Sequence, residues 1–63
     1  KTNYLVVITY NDGEMHTVEY FKNFSVMRDF VNDNKGWESV GDIHIYTHQP
    51  DNTWKHHETV EGY

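Results

Sequence analysis

A chain of 63 residues makes one domain, buries only about 60% of the surface it exposes when unfolded, and has no room for a deep active-site cleft. Ten Asp and Glu against five Lys and Arg leave a net charge of −5 with the histidines neutral, which argues against a partner that is bound through its phosphates. There is no cysteine, so neither a disulfide framework nor a thiolate metal site reinforces the core, an absence compatible with the cytoplasm.

The longest apolar run, Tyr4 to Ile8, falls far short of the roughly 20 residues that a membrane helix needs. The chain opens on Lys1 rather than Met, which reads as numbering that begins just after a trimmed or missing start, and no charged-then-apolar leader opens it. The expectation is a soluble, unsecreted, cytoplasmic protein with no membrane and no direct nucleic-acid partner. Five Tyr, three Phe and two Trp exceed what so small a core comfortably encloses. Because Tyr and Trp favour interfaces, some of them are expected to face a partner.

In chain order, Tyr4-Leu5-Val6-Val7-Ile8-Thr9-Tyr10 is β-branched and aromatic and ends at Asn11-Asp12-Gly13, a strong hairpin signal. The return strand, Met15 to Phe21, has two registers open to it. With a two-residue Asp12-Gly13 turn, Leu5 and Val7 face Tyr20 and Val18. With a three-residue loop and a glycine bulge, Tyr4, Val6 and Ile8 align with Tyr20, Val18 and His16. Both parities of the first strand are apolar, so Leu5, Val7, Met15 and Phe21 compete with Tyr4, Val6, Ile8 and Tyr20 for the cover of a helix. Either the strand is central and covered on both sides, or a second protomer lies over the spare face; a two-fold homodimer is therefore expected.

Asn23 or Ser25 can cap a helix whose Phe24, Met27, Phe30 and Val31 fall on one stripe. Asn34-Lys35-Gly36 ends it, with Gly36 suited to the left-handed C′ position. Arg28, Asp29, Asn32 and Asp33 lie opposite the stripe. Trp37-Glu38-Ser39-Val40-Gly41 reads as a connector anchored by Trp37 and Val40, and Asp42 leads into a second hairpin whose turn is Gln49-Pro50-Asp51-Asn52. Its return strand runs from Thr53 to about Val60. Residues 1–63 thus form a single ββαββ domain of the α+β class, a four-stranded antiparallel sheet with one helix on one face. The expected core is Leu5 or Val6, Val7 or Ile8, Val18, Phe24, Met27, Phe30, Val31, Ile43, Ile45 and Trp54.

Four of the five histidines crowd the second hairpin. If His48 pairs with Thr53, Ile43, Ile45 and Thr47 share the helix side with Trp54, His56, Glu58 and Val60, while His44, Tyr46 and His48 share the other face with Lys55 and His57. His44 then sits opposite His57, but two imidazoles fall short of the three or four ligands of a zinc site. A one-residue slip would replace His57 with His56. Catalysis finds no support: Glu14, Glu19, Glu38, Glu58 and Glu61 could each stand near a histidine, yet Ser25 reads as a cap and Ser39 as a loop residue. There is no phosphate loop, His-Glu-x-x-His or nucleophile elbow, and no cofactor is implied.

The reading is a small acidic, non-enzymatic protein-binding module that presents Tyr46, His44, His48 and His57 to a protein partner. In size and economy alone it resembles the phage accessory proteins that inhibit a host protein. A nucleic-acid mimic is a variant, with Asp29, Asp33, Glu38 and Asp42 as an acidic ridge. The alternative is a metal- or pH-responsive regulator centred on the histidines of the second hairpin.

Overall fold

A computed structural model describes residues 3–13 and 16–61. The strands are β1 (Tyr4–Tyr10), β2 (His16–Phe21), β3 (Val40–His48) and β4 (Trp54–Glu61), and the helix α1 (Phe24–Asn34) connects β2 to β3. The order is ββαββ, as expected, and all neighbouring strands are antiparallel in the spatial order β2-β1-β3-β4. Met15 and Glu14, which enter the sequence readings, lie outside the described residues.

Two facts explain the double apolar parity of β1. It is a central strand, paired to β2 on one side and to β3 on the other. Its even residues turn toward α1: Val6 and Ile8 are at most 1% exposed, and with Met27, Val31, Val40, Ile43 and Ile45 they form the core, flanked by Tyr4, Tyr10, Phe21, Phe30 and Val60. Leu5 and Val7 point the other way, where no helix lies, and are half-buried by their neighbours on the sheet. The strand is therefore central yet covered on one side only.

The pairing across the first hairpin is Leu5 with Tyr20 and Val7 with Val18, the first of the two registers. Gly13 takes a left-handed φ of 78°, and its N–H donates to the Tyr10 carbonyl at 2.9 Å. This register groups Phe21 with Tyr4, Val6 and Ile8, and Tyr20 with Leu5 and Val7, the reverse of the competition anticipated for those two aromatics. Val18, expected in the core, is 40% exposed on the open face.

The helix begins where Asn23 adopts an extended backbone (φ −127°, ψ 154°) and its side-chain oxygen accepts from the Val26 N–H at 3.0 Å. Met27 and Val31, one turn apart, carry its burial. Of the expected stripe, Phe30 packs at the margin of the core, while Phe24 does not join it. Phe24 is 47% exposed and packs edge-on to Tyr4, while Phe30 is half-buried against the Phe21 ring at 5.1 Å.

The helix end also differs from expectation. Lys35 stays right-handed, and Gly13 is the only glycine with positive φ among the described residues, so Gly36 is not a left-handed cap. The last turn is closed by backbone and side chains together: the Lys35 N–H donates to Val31 O at 2.9 Å and the Trp37 N–H to Asn34 O at 3.2 Å, while Asn34 Nδ2 donates to Phe30 O at 2.8 Å and the Trp37 indole Nε1 to Asp33 O at 2.9 Å. Trp37 is 63% exposed, so it holds the connector by a hydrogen bond rather than by burial, whereas Val40 does enter the core.

Polar ties fix where β3 starts. Asn11 donates from its backbone to Ser39 O at 2.8 Å and from its side chain to Glu38 O at 2.6 Å. Pairing of β1 with β3 shifts between Ile8 and Tyr10, and there the Thr9 hydroxyl accepts from the Asp42 N–H at 3.0 Å and donates to the Asp42 carbonyl at 3.1 Å. A side chain thus satisfies backbone groups that the interrupted ladder leaves over. Gly41 sits so close that a Cβ would meet Thr9 O at 3.3 Å.

Met27→Ala removes a fully enclosed side chain at the helix–sheet contact and should cost about 2–5 kcal/mol, a large share of the roughly 3–9 kcal/mol expected for a domain of this length. Val18→Ala on the open face should cost about 0.5 kcal/mol or less. The half-buried Phe30 should lose less on truncation than the roughly 3–5 kcal/mol of an enclosed phenylalanine. Urea unfolding followed by far-ultraviolet circular dichroism measures all three; equal midpoints for Met27→Ala and Val18→Ala would mean that the helix is not seated on this face.

Candidate functional site

The second hairpin closes through Gln49-Pro50-Asp51-Asn52, as the sequence suggests, with Asn52 N–H donating to Gln49 O at 2.9 Å and Asn52 in the left-handed region at φ 70°. Asp51 accepts from the Thr53 N–H at 3.1 Å and from the Thr53 hydroxyl, and these bonds, the hydroxyl's first, hold its carboxyl below the usual range. The Gln49 N–H also donates to Thr53 O at 2.8 Å. The loop therefore takes in Thr53, and His48 pairs with Trp54, not with Thr53.

That one-residue difference moves Trp54 out of the expected core. It stands on the open face, 36% exposed, with its ring 5.0 Å from His48 and 6.1 Å from Tyr20. Farther along the ladder the register shifts again. Tyr46 pairs with His56 and Ile45 with Glu58, so the pairing skips His57. The extra residue of this bulge restores Glu58 and Val60 to the helix side, where Val60 packs on the core.

The bulge also decides which histidines meet. His44 lies opposite Thr59, and the expected His44–His57 pair is not formed. His57 Nε2 is instead 3.9 Å from Glu58 Oε1, beside the ion pair that Arg28 makes with Glu58 at 2.8 Å. His44 associates with His56 through a shared hydroxyl: Thr59 Oγ1 is 3.2 Å from His44 Nδ1 and 2.8 Å from His56 Nε2, and the two rings lie 6.4 Å apart. Tyr46 meets His56 edge-on at 5.5 Å, and His48 Nε2 is 2.9 Å from Asn52 Oδ1. His56, which sequence reasoning placed on the helix side, replaces His57 in the site.

The open face thus presents Leu5, Val7, Val18, Tyr20, His44, Tyr46, Trp54 and His56 as one surface, with His48 at the hairpin end. Among the described residues, no three His, Cys, Asp or Glu side chains are grouped to hold a metal ion. Of the acidic set, Asp29 and Asp33 are exposed on the helix and Glu38 is exposed on the connector, but strand alternation turns Asp42 and its partner Glu61 to the open face. The four carboxylates therefore do not form one ridge. A shallow cleft of about 330 Å³ lies elsewhere, lined by Tyr10, Asn11, Asp12, Thr17 and Ser39. Its Tyr10 hydroxyl is bonded to Thr17 Oγ1 at 2.7 Å, and its Asn11 amide is engaged by Glu38 O.

The fold defines the class as a two-layer α+β domain with one bare sheet face. No helix among the described residues is long and apolar enough to cross a membrane. No protein-family model matches this chain, and no curated protein or solved structure matches it either.

Arg28 holds the Glu58 carboxyl below its ordinary value, chiefly by their hydrogen bond, against a smaller opposing effect of burial. A depressed folded-state pKa contributes stability that is present above the unfolded carboxylate value and lost as pH falls through the folded value. Both side chains are partly exposed, so the pair should be worth about 0.5 kcal/mol. Glu58→Gln should lower stability by that amount near neutrality and converge with the parent in acid. Urea midpoints at neutral and acidic pH check this, and a gap that widens on acidification would contradict the sign.

Proposed function

We propose that this chain is a non-enzymatic protein-binding module that works through its open sheet face. The observation that supports the reading is the apolar and aromatic surface itself: a single helix seals one side of the sheet, while on the other Tyr20 and Trp54 are exposed and Leu5, Val7 and Tyr46 are half-buried with no helix over them. A contiguous apolar patch with a polar rim marks an interaction site, and large amphipathic rings supply contact area at small entropic cost. Inhibition, on this reading, consists of occupying a surface of the partner. The acidic helix and connector offer the competing mimic variant.

A capture experiment separates the two. Leu5→Lys and Tyr46→Lys should each abolish retention of the partner, while the double variant Asp29→Asn, Asp33→Asn should retain it. Retention should also persist at high salt, because apolar burial is not screened. Loss of capture in the Asp29/Asp33 variant, with a steep salt dependence, would favour the mimic and count against the sheet face.

The Thr59 hydroxyl favours a second reading, a proton-responsive face. One hydroxyl proton and two lone pairs can serve two neutral imidazoles, one as donor and one as acceptor; when both rings are protonated, both donate, and the hydroxyl loses its acceptor. The Thr59 methyl NMR shift should move on acidification in the parent and stay in place in the double variant His44→Gln, His56→Gln. A parallel zinc titration tests the metal variant, which requires His44, His56 and a third ligand to shift together.

A further inference from the structure

Resting on the sheet-face reading above, we propose that the occupant of the open face is a second copy of this chain, packed sheet to sheet about a two-fold axis that runs across the strands. The first support is size. Strands of six to nine residues, rising ~3.3 Å per residue and spaced ~4.8 Å apart, present a face of roughly 500 Å² in projection. Two copies that cover the whole face then bury about 1,000 Å² before side-chain relief is counted, which reaches the lower limit of a specific interface.

The second support is where the charge lies. The acidic excess of the chain sits mainly off this face: Asp29 and Asp33 on the helix, Glu38 on the connector, and Glu19 and Glu58 on the helix side of the sheet. Arg28 is on the helix, Lys55 falls on the helix side by its pairing with Thr47, and Lys22 and Lys35 lie outside the strands. The middle of the open face, around Val7, His44 and Tyr46, therefore carries no carboxylate, lysine or arginine among the described residues. Two copies can approach there without opposed formal charges.

The third is self-complementarity, which also favours one direction of the axis. One end of the face carries the carboxylates of Asp42 and Glu61, level with His16 of β2, and the other carries the Tyr20 hydroxyl and the Trp54 indole N–H. An axis across the strands lays the carboxylate end of each copy over the Tyr20 and Trp54 end of the other. An axis along the strands would instead set Asp42 and Glu61 over Thr9 and His16 of the other copy and leave the Trp54 indole N–H at the opposite end from both carboxylates. A two-fold contact satisfies both ends twice with one surface, and aligned sheets accept this packing at about 30° between their strands.

Sedimentation equilibrium of the full chain across a dilution series tests the proposal. The parent should reach twice the 7.6 kDa of the chain at micromolar concentration. Val7→Lys, at the centre of the face, should weaken self-association about tenfold or more, as charging the middle of an interface does. Asn32→Lys, on the outer side of the helix, should leave it unchanged. Isotope-filtered NOEs on the unaltered protein supply a measurement that survives misfolding of a variant: the Thr59 and Thr9 methyls of one copy should meet the Trp54 and Tyr20 rings of the other. A monomer at every concentration, a folded Val7→Lys that dimerises like the parent, or cross-copy NOEs confined to the helix would each overturn it. A monomer that still captures a foreign protein through Leu5 and Tyr46 overturns the second copy and leaves the binding-module reading standing. A dimer that retains no foreign protein does the reverse.

Discussion

One amphipathic helix covering one face of a four-stranded sheet is the constraint from which the rest of this structure follows. Met27 and Val31 need a flat apolar floor, and the even residues of β1 with Ile43 and Ile45 of β3 provide it. Because side chains alternate along a strand, choosing the even set for the core commits the odd set to the opposite side. Leu5 and Val7 are as apolar as the residues that won, and the helix has no second face to offer them. The functional surface is thus the complement of the core, created by the same choice.

The strand order sharpens this. Placing β1 and β3 at the centre gives each two ladders and puts the histidine-bearing β3 beside the apolar odd residues of β1, so His44 lies next to Val7 and Tyr46 next to Leu5. Imidazole and phenol side chains thereby flank aliphatic ones in a single patch, with an apolar body and polar tips. Edge strands β2 and β4 add Tyr20 from one side and Trp54 from the other, and these rings meet across the sheet at 6.1 Å. Side chains from opposite edges thus meet over the Leu5–His48 end of the face.

Two irregularities adjust that surface without disturbing the core. The shift opposite Thr9 lets the connector enter β3 with Val40 buried and Asp42 outward, and the Thr9 hydroxyl replaces the missing ladder bonds. The bulge at His57 does the converse on β4: it brings Val60 back to the helix side and leaves His56 and Thr59 on the open one, so that a single hydroxyl ties two imidazoles together. A regular strand with the same pairing at Trp54 would have turned Val60 away from the core, so the bulge reconciles the turn geometry with the apolar pattern.

The strands, the helix, its Asn23 cap and both turns are legible in the residue pattern because each depends on neighbours a few positions away: β-branched runs, Asn-Asp-Gly, a capping amide and a stripe at helical spacing. The core residues Met27, Val31, Ile43 and Ile45 follow from the same local periodicity. What tertiary structure alone decided was parity. Either set of β1 satisfies a hairpin, and Trp54 or Lys55 can equally be written toward the helix, since a one-residue change in loop length or a single bulge reverses every side chain beyond it and leaves composition untouched. For that reason the crowding of histidines near one turn was visible, while the particular pair that meets was not: His44 finds His56 rather than His57 only after a five-residue loop and a bulge have set the register against β3. The same holds for Trp37 and Gly36, whose roles at the helix end depend on a hydrogen bond from an indole to the Asp33 carbonyl that no local pattern announces. Sequence determined which segments are strand and helix and how many faces one helix can cover; packing determined which apolar set that helix took, and hence which residues were left to face outward.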